Sequence, residues 1–221
     1  TYVLDSLERM ARQMTETARL NEELSKAQLA ALRRQMEPHF MFNTLNSIAA
    51  LVRDQRNAAA VNMIVGVSEF LRRATEDSHR AQVTLAEEVE YLQRYLDLQR
   101  VRFGDRLQVR IDIPAELLSA LVPNLLLQPL VENAVKHGIA KRVAGGRVQV
   151  SGRRTDDNMR LSVYNDGSTL PPDWQATGTG VGLANLRTRL QILHGMDSTL
   201  ELRRVDVGGA EVVVTLPFRE E

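Results

Sequence analysis

Residues 1–35 hold neither glycine nor proline, and their apolar side chains recur at helical intervals. Leu4, Leu7, Ala11, Met14 and Ala18 alternate by threes and fours, and a second stripe at Leu20, Leu24, Ala27 and Ala31 then takes over out of phase. Such a phase shift is what a stutter does to a coiled coil. Glu22 and Lys26 stand one turn apart as an outward pair. A single helix cannot bury its own seam, so the pattern predicts a parallel dimer, with packing onto the chain's own domain as the alternative. Helical spacing continues over residues 34–52, broken only by Pro38. Another amphipathic helix is expected over 58–76, with Val61, Ile64, Val65, Phe70 and Leu71 as its apolar side. Thr84-Leu85-Ala86-Glu87 has the form of a capping box. It opens a helix in which Leu85, Val89, Leu92, Leu96 and Leu98 are apolar, ending near Gly104. Helices joined by short loops predict a bundle, doubled by dimerisation to four main helices.

From Arg106 the period changes to two. Leu107, Val109, Ile111 and Ile113 alternate with polar residues, the mark of a half-buried strand that ends at Pro114. A helix is expected from Pro123, then strands over 147–153 and 160–164, and a helix over 181–193 after a glycine-rich loop. Two last strands, 199–204 and 210–217, flank the turn Gly208-Gly209. Strands and helices mix without strict βαβ alternation, so the fold class is α+β, with helices on one face of a mixed sheet.

The 221 residues suit one large domain or two small ones, and 43% hydrophobic content is enough for a core. Twenty-eight basic residues balance 28 acidic ones, which argues against a direct electrostatic grip on nucleic acid. The absence of cysteine excludes disulfides, thiolate zinc sites and cysteine nucleophiles, and fits a reducing compartment. No apolar run approaches the ~20 residues that span a bilayer, and no signal peptide is present. Because the chain begins inside a helical pattern, it reads as a fragment with upstream sequence removed, in which a membrane anchor could lie.

Three segments of the second half carry chemistry. In Gln128-Pro129-Leu130-Val131-Glu132-Asn133-Ala134-Val135-Lys136-His137-Gly138, the residues Glu132, Asn133 and Lys136 fall within one helical turn. Asn133 offers a neutral oxygen suited to a Mg²⁺ ion that keeps its waters and bridges phosphates, and Lys136 can neutralise phosphate charge. Taken alone, these residues read as the polar face of a surface helix. Val163-Tyr164-Asn165-Asp166-Gly167 is a strand running into a turn, and Gly178-Thr179-Gly180-Val181-Gly182-Leu183 places glycines directly before a helix. Close backbone approach at a helix N-terminus makes an anion site. The Gly-Lys-Ser/Thr of a P-loop is missing.

In this order the three segments resemble the Bergerat ATP-binding fold of the GHKL superfamily. Residues 128–138 resemble its asparagine box in the LytS-type form, 165–167 its first glycine box, and 178–183 with Asn185 and Arg189 its second. The resemblance implies ATP enclosed by Asn133, Lys136, His137, Asn165, Asp166, Gly167, Thr179, Gly180, Val181, Gly182 and Leu183. It also implies Mg²⁺ held through Asn133 and a lid over 168–177 that contains Trp174. The family places an aspartate two residues before the first glycine to accept from the adenine amine; here that position is Asn165, and Asp166 follows it. An asparagine can accept through its side-chain oxygen. Strand alternation puts Asn165 on the side of Leu161 and Val163, which favours it as base reader, with Asp166 the alternative. Ser168 and Thr169 stand where the second glycine of that box would be.

In the first half, Pro38 sits inside a helical run, where proline costs roughly 3 kcal/mol and leaves the Arg34 carbonyl without its donor. Strain of this kind clusters at functional sites. Asn43 lies one turn beyond His39 and can orient its ring. By base rate a single histidine is an ordinary surface or core residue. Pro38-His39-Phe40-x-Phe42-Asn43-x-Leu45-Asn46, however, closely resembles the phosphoacceptor box of LytS-type sensor histidine kinases. That resemblance implies that His39 attacks the γ-phosphate of ATP. The phosphoryl group would then pass to an aspartate in the receiver domain of a response regulator, of the LytTR type. Neutral imidazole is a competent nucleophile, and the reaction needs positioning and charge stabilisation above all. Other subfamilies place an acid directly after the histidine; here Phe40 stands there and Glu37 points to another face, so Glu132 is the candidate base. The expected organisation is a signalling helix over 1–34, dimerisation and phosphotransfer helices over 35–104, and an ATP-binding domain over 105–221. Two further readings stand beside the kinase: a GHKL-fold ATPase or degenerate kinase, and a dimeric scaffold without catalysis.

Overall fold

The computed structural model describes residues 38–76, 80–140, 142–167, 181–206 and 208–220. The coiled-coil stripe, Glu37, the 168–177 segment with Trp174, and Thr179 and Gly180 lie outside them. Contacts divide the chain into two units, Thr1–Ala50 and Leu51–Glu221.

In the first unit the described backbone is helical from Pro38, within α1 (Pro38–Arg53). His39 is the second residue of that helix. The Thr44 hydroxyl donates to the Phe40 carbonyl at 2.8 Å, and that of Ser47 to the Asn43 carbonyl at 2.9 Å. Both hydroxyls thus satisfy themselves on the preceding turn, as such residues do inside helices. Phe40 is buried, whereas Phe42 and Leu45 remain 67% and 56% exposed.

The second unit opens with α2 (Asn57–Glu76), which buries Ala60, Met63, Val67 and Phe70 at helical spacing. This corrects the expected apolar side, because Val61, Ile64 and Val65 stay 57%, 49% and 49% exposed. The helix carries two adjoining apolar stripes, and the one with Met63 and Phe70 packs on the next helix, α3 (Leu85–Phe103). There the Phe70 ring stacks on Tyr91 with centroids 4.9 Å apart and planes 6° from parallel. Gly66 makes room for Leu98, which a Cβ would meet at 3.2 Å. The start of α3 is the capping box read from the sequence: the Glu87 amide donates to the Thr84 hydroxyl at 3.3 Å, and the Thr84 amide to the Glu87 carboxylate at 2.8 Å.

Five strands form the main sheet: β2 (Leu107–Asp112), β4 (Gly146–Thr155), β5 (Asn158–Asn165), β6 (Thr199–Arg204) and β7 (Ala210–Pro217). Their spatial order is β2-β4-β5-β7-β6, with β2 and β4 parallel and every other pair antiparallel. A separate ribbon pairs β1 (Gln82–Thr84) with β3 (Leu121–Pro123). This ribbon occupies the place where a helix from Pro123 was expected. The helix begins only at Leu127, because 121–123 are used in pairing and Leu125 turns the chain with φ 57°. That helix, α4 (Leu127–Ala134), widens into a π turn, Val135–Ile139. The last helix is α5 (Val181–His194).

Alternation along the strands gives the sheet two unlike faces. Val148, Val150, Leu161, Val163, Val212, Val214 and Leu216 are buried, as are Leu127, Leu130 and Val131 of α4 and Leu183, Leu186 and Leu190 of α5. The intervening positions on β4 and β5 are polar, with Gln149, Ser151 and Arg153 on β4 and Arg160, Ser162 and Tyr164 on β5, while β7 sets Val213 beside Ser162. In their midst Ser151 and Ser162 share a hydrogen bond at 2.8 Å. One face is thus a core under helices and the other is polar, the α+β arrangement expected from the sequence. No described helix is long and apolar enough to cross a membrane.

Candidate functional site

The described residues of the three chemical segments lie along α4 and the turn that follows it. α4 carries the first. Its apolar side (Leu127, Leu130, Val131, Ala134) is buried, which leaves Glu132 and Asn133 half-buried at the rim. Gln128 Nε2 donates to Glu132 Oε1 at 2.5 Å, one turn apart, and so orients that carboxylate. Lys136 and His137 follow on the π turn and are exposed, while Gly138 and Ile139 of the same turn are buried. The wider turn therefore sends two polar side chains outward and brings a bare backbone inward. Such turns recur at functional sites.

Gly138 is where the first segment touches the second. A side chain at Gly138 would overlap the Asn165 amide, and one at Gly167 would overlap the Gly138 carbonyl. Asn165, the last residue of β5, is only 4% exposed and lies buried with Leu161 and Val163. Asp166 behaves differently. Its Oδ1 accepts from the Arg147 amide at 2.7 Å, its own amide donates to the Arg147 carbonyl at 3.2 Å, and its side chain is at the surface. Neighbours in sequence, they divide into an inward amide beside α4 and an outward carboxylate that ties down the start of β4. Of the third segment, Gly182 lies near the first turn of α4. A Cβ on Gly182 would meet Pro129 Cβ at 3.9 Å, and Leu183 beside it is buried. Asn185 is exposed on the first turns of α5.

The N-terminal end of α4 is held by groups the sequence did not flag. Leu126, at its N-cap, makes no side-chain capping bond. Instead Glu88 of α3, 2% exposed, accepts from three successive amides: Leu125 at 2.7 Å, Leu126 at 2.8 Å and Leu127 at 2.9 Å. Arg189 of α5 donates to the Asn124 carbonyl on the same turn. Burial holds the Arg189 pKa below its ordinary value, and the Glu88 charge opposes that shift. One signal was readable: Glu88 falls on the apolar stripe of α3 with Leu85 and Leu92, a costly place for a charge without buried partners.

A neutral amide oxygen, an ammonium and an imidazole follow one another along the exit of α4, and Gly138 and Gly167 let the first two segments pack backbone to backbone. Residues 121–220 match the family of histidine kinase-, DNA gyrase B- and HSP90-like ATPases. Residues 27–107 match the family described as histidine kinase.

The chain belongs to the LytS-type sensor histidine kinases.

Among relatives of this histidine kinase, sensor histidine kinase BtsS of Escherichia coli (strain K12) is 34% identical over 90% of this chain and 35% of its own length. Sensor protein LytS of Enterococcus faecalis is 28% identical over 90% of this chain and 35% of that protein. The chain thus spans about a third of the curated relatives it matches. The histidine kinase domain of the Erythrobacter litoralis EL346 blue-light activated histidine kinase has the same fold. It aligns at a TM-score of 0.50 and 21% identity, covering 87% of this chain and 91% of that one. The strands β3 to β7 with α4 and α5, within residues 121–220, are accordingly those of a GHKL-type ATPase domain, whereas α2 and α3 fall in the histidine kinase match.

Proposed function

We propose that this chain is the kinase core of a two-component sensor, which autophosphorylates on His39 and passes the phosphoryl group to an aspartate of a response regulator. The observation that carries the ATP half is the meeting of the asparagine box with the first glycine box at Gly138, Gly167 and Asn165. In this reading Asn165 accepts from the adenine amine, because its side chain is turned inward while Asp166 is committed to the Arg147 amide. Lys136, His137, Gly182 and Leu183 border the nucleotide, and Thr179, Gly180 and Val181 complete the second box. Mg²⁺ bound through Asn133 would neutralise charge on the phosphates as the transfer proceeds.

The nucleophile is a ring nitrogen of neutral His39, oriented by Asn43. Its lone pair forms the N–P bond as the bond from the γ-phosphorus to the bridging oxygen breaks and ADP leaves with that electron pair. Glu132 takes up the ring proton. The phosphoryl group then moves to a receiver-domain aspartate, on a regulator of the LytTR type. The protein acts as a homodimer, a reading supported by exposed Phe42 and Leu45 on α1 and by exposed Val61, Ile64 and Val65 on α2. A membrane anchor outside these residues, with this part in the cytoplasm, belongs to the same reading, which is supported by the chain's spanning only about a third of its curated relatives.

Incubation with γ-labelled ATP and Mg²⁺ tests the reading. Acid-labile label is expected on the parent chain and on neither His39→Gln nor Asn133→Ala. Steady ATP hydrolysis without label on protein would select an ATPase or degenerate kinase instead, a reading favoured by Asn165 in the place of the family's aspartate.

A further inference from the structure

The turn Asn124-Leu125 is held from two sides, and neither hold belongs to the helix it starts. Leu125 has φ 57°, a left-handed conformation that costs a branched side chain about 1–2 kcal/mol. Such a residue relaxes to negative φ unless its surroundings over-determine it. Here three consecutive amides converge on the two oxygens of Glu88, and the Arg189 guanidinium holds the preceding carbonyl. A serine at position 126 could cap α4 locally without burying a charge. The chain instead reaches 37 to 39 residues back along the sequence for its acceptor. A buried carboxylate is stable there because the amides, the positive end of α4 and the Arg189 charge all face it.

A local cap decides only that a helix begins. A carboxylate delivered from α3 also decides where it begins and how it is rotated, since α3 is itself seated on α2 through the Phe70–Tyr91 stack. Asn133 lies six residues beyond Leu127, about 9 Å along a helix axis, so any rotation or slide of the first turn is delivered to it. We propose that Glu88 is a positioning residue for nucleotide binding: through the left-handed Leu125 turn it sets the pose of α4, and with it the asparagine-box side chains that face the nucleotide. The inference rests on the reading of that end of the unit as an ATP pocket. Arg189 is the second half of the same clamp, acting on the turn from α5.

The test is calorimetric titration of the full chain with Mg-ADP, at a temperature well below every variant's melting transition. Glu88→Gln keeps the size of the side chain but replaces one acceptor oxygen by a donor that faces amide donors. Its ADP affinity is expected to fall about tenfold. Adding Leu125→Gly to that variant is expected to recover most of the loss, because glycine holds the same φ without strain. A role confined to global stability would leave the affinity of the folded Glu88→Gln protein unchanged, and equal affinities in parent and variant overturn the proposal alone. A parent chain that binds no ADP overturns the pocket reading and the proposal with it. Amide exchange in the parent chain provides a measurement that needs no variant. Leu125, Leu126 and Leu127 should exchange slowly although they lack partners within α4; exchange at the rate of an unstructured chain overturns the clamp.

Discussion

Two helix starts in the second unit solve the same problem in opposite ways. α3 is capped from within: Thr84 and Glu87 satisfy each other's orphan amides across one turn. α4 has a leucine at its N-cap, and its first amides are satisfied by Glu88 from another helix. The two carboxylates are adjacent in sequence, yet one is used locally and the other across the fold. The difference lies in what each cap determines. The Thr84 box starts α3 and leaves its packing to the apolar stripe. Glu88 makes the start of α4 a property of the α3–α4 contact, so the helix that carries Glu132 and Asn133 is oriented by its neighbour.

Breaking the second start should cost most. Glu88→Ala leaves three buried or half-buried amides without their acceptor, and a loss of about 3 kcal/mol is expected in chemical denaturation. At the far end of the same helix, Gly138→Ala drives a methyl into the Asn165 amide, with an expected cost of about 2 kcal/mol from overpacking. It should also lower Mg-ADP affinity, measurable in the same titration. The first start is cheaper to break. Thr84→Ala is expected to lose about 1 kcal/mol in denaturation, with ADP affinity unchanged because α4 is untouched.

The smallest effect is in acid. The Arg80 guanidinium, bonded to Glu87 at 2.7 Å, together with the Thr84 amide holds the Glu87 pKa at about 2 against its ordinary 4.5. A carboxylate whose folded pKa is depressed stabilises the fold above its unfolded value, and that contribution is lost as pH falls towards the folded one. Glu87→Gln should therefore be less stable than the parent at pH 7 by a few tenths of a kcal/mol, since the pair is partly exposed. The gap should close between the two pKa values. Melting curves across that range, at low and high salt, check it.

The same contrast explains what could be read before folding. The Thr84 box, the end of α3 at Gly104 and the strands β6 and β7 follow from spacing and turn residues that lie close together in sequence. The inward side of Asn165 followed from period-two alternation with Leu161 and Val163. Features that depend on distant partners were not legible. Residues 121–123 pair with β1 rather than entering a helix, and nothing near them in sequence states that the partner is Gln82–Thr84. On α2 two apolar stripes compete, and only the fit to Tyr91 and Leu98 selects the one holding Met63, Val67 and Phe70. The Glu88 clamp combines both difficulties, since its acceptor lies on one helix and its donors on a left-handed turn that no glycine announces.

The five-stranded sheet ends in β2 on one side and β6 on the other, and the outer position of each makes it a template for foreign strands. Both are written in charge. Arg110 and Asp112 are exposed and paired on β2, while Glu201 and Arg203 are paired on β6 beside exposed Arg204. An incoming strand would have to strip water from these ions while its own backbone paired. Such edges discourage sheet-to-sheet growth, so the domain can be crowded against copies of itself without polymerising.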